Sequence, residues 1–252
     1  VKAKRLRPHH LLHPILLFAL QVAVAQDLHW KSFDWKITSG PIGGGVVTGS
    51  PANVTMDAAG ALHLRIQKLA GKWTGAELFT QTSQGFGTYQ WVLQGDNFYT
   101  MEFPIVLGLF TYGPTRKIGV DGENEIDTEF SNWDGTAAPA NTRADFTSYP
   151  ATGYRKEKTV AAHENNFYIA APSTPTTTVR MTWSADTILW EIMAGTVPLG
   201  SKGTILKTDT FHGTVTSVPQ TACPVGINFW SYKVAPTRPI EVVVQDFQFV
   251  PR

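Results

Sequence analysis

The sequence predicts an all-β protein, a jelly-roll sandwich of two antiparallel sheets, on three observations. Glycine and proline, 22 and 16 of the 252 residues, interrupt every stretch in which a helix could grow. Between them, apolar side chains recur at every second position, the period of a half-buried strand. These runs are short, and turn residues separate them, as in sandwiches and jelly rolls.

Along the chain, Lys2, Lys4, Arg5 and Arg7 give a basic start, residues 11–24 are mostly apolar, and Ala23-Val24-Ala25 fits a small-x-small cleavage rule. The expectation is an export signal over residues 1–25, cut after Ala25, and a secreted domain over 26–252. The apolar run is broken by His13 and Pro14 and falls short of the roughly 20 residues that span a bilayer. Leu62, Leu64 and Ile66 then alternate with His63, Arg65 and Gln67, and residues 87–94 place Tyr89, Trp91 and Leu93 on one face. Residues 103–112 are almost wholly apolar and read as a central strand covered on both sides. Further strands are expected at 178–183, 187–193, 225–231 and 240–250, with 170–178 a surface loop between strands. No repeat or change of composition marks a second domain.

Composition narrows the partners. The whole chain carries 21 basic and 20 acidic residues, and without 1–25 the balance becomes 17 to 20. No basic footprint for nucleic acid remains. Charged residues are 16% of the chain, below the roughly 25% of typical domains. A weakly charged, aromatic-rich surface suits a neutral polymer, bound by a monomer without nucleic acid or membrane. The single cysteine, Cys223, precludes an internal disulfide and reads as a small buried hydrophobe.

The most informative stretch is Glu125-Ile126-Asp127-Thr128-Glu129-Phe130. In an extended strand Glu125, Asp127 and Glu129 share one face, while Ile126, Thr128 and Phe130 turn to the core. Three aligned carboxylates repel one another, a cost that makes sense where chemistry requires them. Residues i and i+4 of a strand lie about 13 Å apart at the backbone, and two glutamates leaning together bring their carboxyls to on the order of 5–6 Å. Retaining glycosidases separate the pair by about 5–5.5 Å and inverting ones by roughly 6.5–9.5 Å, so the spacing favours retention. Asp127 between them disfavours further ionisation, which keeps one glutamic acid protonated near neutral pH. A solvated acidic turn or a cation site is the competing reading, although calcium loops carry flanking Gly and Asn rather than a strand.

These residues resemble glycoside hydrolase family 16, in its bacterial lichenase branch, whose signature is Glu-x-Asp-x-Glu on a strand. The resemblance implies a concanavalin A-like β-jelly roll and an endo-acting, retaining β-1,3-1,4-glucanase, with Glu125 the nucleophile, Glu129 the acid/base and Asp127 the residue that tunes Glu125. It extends to Ser50-Pro51-Ala52-Asn53-Val54, Ala76-Glu77-Leu78, Gly85-Phe86-Gly87-Thr88-Tyr89, Phe110-Thr111-Tyr112-Gly113-Pro114 and Gly226-Ile227-Asn228-Phe229-Trp230. It also implies sugar contacts at Glu77 and Asn228, and a structural calcium held by Asp246 with the carbonyl of Gly60. This sequence departs from the family at Glu123, at Phe79 and at Ala194-Gly195, and in an Ala- and Pro-rich insertion after Trp133.

Sugars stack their apolar faces on aromatic rings. Alternation puts Trp230 beside Asn228, making it the leading platform, with Tyr112, Trp133 and Tyr149 as further candidates, whereas Trp91, Trp183 and Trp190 belong to the core. His29, His63, His163 and His212 lack ligand spacing for zinc, and neither a Gly-x-Ser-x-Gly elbow nor a phosphate loop occurs. The alternatives are a transglycosylase or laminarinase on a related glucan, or a non-catalytic carbohydrate-binding domain.

Overall fold

The computed structural model describes residues 27–103, 105–113, 124–132, 143–149, 154–155, 158–159 and 161–252. The expected signal over 1–25, Glu123 and Trp133 lie outside them.

The described chain is a sandwich of antiparallel strands. Its first part comprises β1 (Asp27–Trp30), β2 (Phe33–Ile37), β3 (Gly40–Pro41), β4 (Thr48–Gly49), β5 (Val54–Met56), β6 (Leu62–Leu69), β7 (Lys72–Thr80), β8 (Gly87–Gln94) and β9 (Ile105–Thr111). There follow β10 (Glu125–Ser131), β11 (Ala144–Tyr149), β12 (Tyr154–Arg155), β13 (Lys158–Thr159), β14 (His163–Phe167), β15 (Thr176–Trp183), β16 (Thr187–Ala194), β17 (Thr204–His212), β18 (Val225–Ser231) and β19 (Ile240–Pro251). One sheet runs β1-β2-β7-β18-β9-β10-β11-β14. The other runs β5-β6-β19-β8-β15-β16-β17. The start of β7 also pairs with the end of β6, so the sheets are continuous at that corner.

Alternation decides which face each strand buries. Ile105, Leu107 and Leu109 of β9, Ile126 and Phe130 of β10, and Val225, Ile227 and Phe229 of β18 are fully buried between the sheets. They meet Tyr89, Trp91 and Leu93 of β8 and Trp183 and Trp190 from the opposite sheet, all inaccessible. Fully burying a large apolar side chain contributes about 1.5–3 kcal/mol, whereas interactions between neighbouring side chains on a sheet face are on the order of 0.2–1 kcal/mol. The core face of β10 therefore outweighs repulsion among the carboxylates on its other face.

The expected strands are present, with adjusted ends. The central strand narrows to Ile105–Thr111, buried throughout, and β15 begins at Thr176, so the loop expected at 170–178 stops at Pro175. The sequence reading did not foresee β1, β2, β7, β11, β14 or β17. Among the described residues β17 pairs only with β16, and all its positions are exposed or half-exposed, so no apolar alternation announces it. Cys223 is fully buried, as expected.

Three described histidines meet carboxylates, His29 of β1 pairing with Asp34 Oδ1 at 2.8 Å on the exposed surface. His163 of β14 stacks between Trp190 and Phe211, 5.4 and 5.0 Å from their ring centres, and its Nε2 meets Asp209 Oδ2 of β17 at 2.7 Å, tying the two sheets together. His63 of β6 meets Glu241 Oε1 of β19 at 2.8 Å and Asp57 Oδ2 at 3.2 Å, and Arg65 pairs with the same Glu241. The bond to Glu241, followed by that to Asp57, raises His63 above its ordinary value of 6.5. Its contribution is complete below that value and is lost as pH rises through the raised one. A His63→Gln variant should therefore show its largest loss of melting temperature at pH 5.5, with the deficit shrinking by pH 8.5; a deficit independent of pH would contradict the assignment.

Candidate active site

The faces of β7, β18, β9, β10, β11 and β14 turned away from the core line a cleft of about 550 Å³. Strand register arranges its side chains in rows. One row crosses the sheet as Glu77, Asn228, Gly108, Glu129, Asp145 and Asn166, each opposite the next on the neighbouring strand. A second runs Phe79, Gly226, Phe110, Asp127, Thr147 and Glu164. Glu125 faces Tyr149 in a third. Asn124 enters β10 with a left-handed φ of 52°, which its short polar side chain tolerates, and its Nδ2 donates to the Gly113 carbonyl at 3.2 Å.

Glu125, Asp127 and Glu129 all reach this cleft, while Ile126, Thr128 and Phe130 are buried behind them, as alternation requires. The two glutamates are half-exposed and Asp127 is buried. Tyr149 lies close enough to feel Asp127, Glu125, Glu129 and Asp145; burial first, then those charges, raise its phenol far above the usual range. It is thereby fixed as a neutral hydrogen-bond donor among carboxylates. Thr147 Oγ1 donates to Asp145 Oδ1 at 3.1 Å, and Asn166 Nδ2 to Glu164 Oε1 at 2.8 Å.

On the far side of β10, Asn228 and Trp230 both line the cleft, with Glu77 and Tyr112. Trp230 packs against the Gly43–Gly45 segment and meets Tyr232 edge-on at 5.9 Å. A Cβ on Gly45 would stand 2.9 Å from the Ser231 carbonyl oxygen, so only glycine lets this loop approach so closely. Glu77 is buried and accepts a hydrogen bond from Thr38 Oγ1 at 2.8 Å. Burial, partly offset by that bond, raises its carboxyl to about 7 from an ordinary 4.5.

Every site residue expected from the sequence and lying among the described residues thus converges on one cleft, apart from the metal pair. Gly60 and Asp246 have other partners: the Gly60 carbonyl accepts the Trp30 indole N–H at 2.8 Å, and Asp246 Oδ1 pairs with the Lys31 ammonium at 3.2 Å. Among the described residues no three His, Cys, Asp or Glu side chains gather around a point that could hold an ion. An ammonium already against Asp246 does not fit a calcium cage, and no step below passes through a metal. The sequence reading missed Phe79 and Phe110 as cleft residues, and Asp145, Thr147, Glu164 and Asn166 altogether. Alternation of Ala144, Phe146 and Ser148 with Asp145, Thr147 and Tyr149 was the available signal for Asp145 and Thr147.

No family model matches the sequence, and neither does any curated protein. The fold is similar to that of a glycoside hydrolase family 16 endo-glucanase from Bacteroides ovatus, with a TM-score of 0.62 at 10% identity, over 86% of this chain and 94% of that one. A prokaryotic β-1,3-1,4-glucanase (lichenase) from a mouse hindgut metagenome superimposes with a TM-score of 0.59 at 20% identity, over 89% of this chain and 96% of that one. The β-glucanase of Bacillus licheniformis gives 0.58 at 20% identity, over 93% and 95%. The κ-carrageenase of Pseudoalteromonas carrageenovora, in complex with an oligotetrasaccharide of κ-carrageenan, gives 0.54 at 14%, over 85% and 88%. One fold thus serves both a neutral glucan and a sulfated galactan.

Because burial holds Glu77 protonated to about 7, its folded value lies above its unfolded one. The cost of ionising it is absent below pH 4.5, grows as pH rises and is complete above about 7. Glu77→Gln should accordingly melt at the wild-type temperature at pH 4.5 and above it at pH 8.5; an equal difference at both pH values would refute the burial argument.

Proposed function

We propose that this protein is a retaining endo-β-glucanase that cuts an uncharged β-1,3-1,4-linked glucan. The observation that carries this reading is the row Glu125, Asp127 and Glu129 set into an open, aromatic-lined cleft. Glu129 protonates the glycosidic oxygen while Glu125 attacks the anomeric carbon, giving a glycosyl-enzyme; water deprotonated by Glu129 then releases the sugar and restores Glu125. Asp127, buried between them, disfavours a second negative charge nearby and so supports the division into one ionised and one protonated glutamate. Tyr149, a permanent donor, stabilises negative charge on that cluster between turnovers.

The choice of a neutral polymer rests on the lining. Six carboxyl groups (Glu77, Glu125, Asp127, Glu129, Asp145 and Glu164) meet a single ammonium, Lys233, among the described residues around the cleft. A sulfated chain entering there would meet like charge at close range in a partly desolvated groove, where repulsion is weakly screened. Phe79, Phe110 and Trp230 present apolar surface suited to sugar faces. The basic and apolar start of the chain supports export, which would bring the enzyme to such polymers.

Residues 26–252 should release reducing ends from lichenan and barley glucan and leave κ-carrageenan intact, with the β-anomer appearing first by proton NMR. Glu125→Gln should lower kcat by roughly a thousandfold or more, and Glu129→Gln by about 10²–10⁴. Undiminished turnover by Glu125→Gln, or an α-anomer as first product, would exclude this mechanism. A product profile with added acceptor oligosaccharides separates hydrolysis from transfer.

A further inference from the structure

We infer that Asn124 is a positioning residue: its side chain holds the entrance of β10 where the strand ladder leaves it open, and so aims Glu125 into the cleft. This rests on the reading of Glu125 as the nucleophile. The three acids of β10 are not held alike. Asp127 pairs with Phe110 of β9 and Thr147 of β11, and Glu129 with Gly108 of β9 and Asp145 of β11, so each sits between two strands. Glu125 is the first residue of β10 and pairs with Tyr149 of β11, whereas the described ladder to β9 begins only at Ile126, opposite Thr111. On the β9 side, the direction of Glu125 is therefore set by the residue before it.

Asn124 is fixed at three points. Counting both registers two places beyond Thr111 sets Gly113 between Asn124 and Cys223, one row past Tyr112 and Glu125. Because side chains alternate, this row lies on the core face, and Asn124 and Cys223 are fully buried. The Gly113 carbonyl accepts from Asn124 Nδ2 at 3.2 Å, so the carboxamide carries the link to β9 beyond the end of the backbone ladder. A Cβ on Gly113 would collide with the Cys223 sulfur, so glycine lets the three strands close here. Cys223 Sγ in turn lies 3.6 Å from the Asn124 carbonyl oxygen. That carbonyl belongs to the planar peptide that carries the Glu125 N–H, so holding it orients the start of the nucleophile. The third restraint is the left-handed φ of 52°, which asparagine and glycine adopt and most other residues resist. Glycine at this position would keep the turn and remove the bridge; alanine would strain the turn as well. A reacting group displaced by about 1 Å loses on the order of 10²-fold in rate.

Two substrates separate this role from plain stability. Lichenan needs the proton of Glu129 on its leaving oxygen, whereas a dinitrophenyl β-glycoside of a short gluco-oligosaccharide expels dinitrophenolate without one. Asn124→Gly should lower kcat on lichenan and the first-turnover release of dinitrophenolate alike, each by roughly 10- to 100-fold, with KM within about threefold of wild type. Asn124→Ala should lose at least as much, and Asn124→Gly carries the test if the alanine variant does not fold. Glu129→Gln should slow lichenan alone. Gln90→Ala, on the other sheet, removes buried hydrogen bonds to the Val197 carbonyl and from Arg180; it should lower the melting temperature at wild-type kcat. Wild-type first-turnover release by Asn124→Gly would overturn the inference with the glucanase reading intact. So would a loss confined to lichenan, or one matched by Gln90→Ala at an equal fall in melting temperature. Undiminished first-turnover release by Glu125→Gln would overturn both.

Discussion

The burial of Ile126 and Phe130 beneath a row of carboxylates is the constraint on which the rest of the site depends. Because side chains alternate along extended backbone, fixing one face of β10 in the core fixes the other in the cleft. A slip of one residue would bury Glu125, Asp127 and Glu129 among aromatic rings, at a cost no apolar contact offsets. Repulsion among the acids is thus tolerated because the alternative register is far worse. The same logic fixes β9, β11 and β18, whose core residues are equally inaccessible.

Registers held so firmly turn the sheet into a grid. Glu77, Asn228, Gly108, Glu129, Asp145 and Asn166 come from six strands and more than 150 positions of sequence, yet form one line because each strand pairs in a single way. The places where that line lacks a side chain matter as much as those where it has one. Gly108 and Gly226 let the side chains of Asn228 and Phe110 lie over them, and Gly45 lets a loop close on Trp230. Glycine here serves close approach, at the entropic cost it carries within a strand.

The cleft is electrostatically uneven. Carboxyl groups concentrate on β10, β11 and β14, while aromatic rings and Asn228 occupy β7, β9 and β18. Tyr149 stands among the acids as a neutral donor because burial and negative neighbours both oppose its ionisation. Glu77, farther along the row, is pushed up to about 7 mainly by burial, so it can donate or accept near neutrality. Those two groups thus add no fixed charge to the cleft below pH 7.

The sequence by itself determined the all-β class, the strands with plain alternation and the three acids on one face, since a period of two is a local property of the chain. Alternation also put Trp230 on the same face as Asn228, which the family resemblance had singled out. It could not reveal β17, an edge strand whose exposed faces need no apolar pattern, or that Asp145 stands opposite Glu129. Nor could it show that Lys31 and the Trp30 indole engage the groups expected to hold calcium, because the β1–β2 turn reaches them only in the folded sandwich. Only tertiary pairing decided these, since which residues face each other across strands depends on register between segments far apart in the chain.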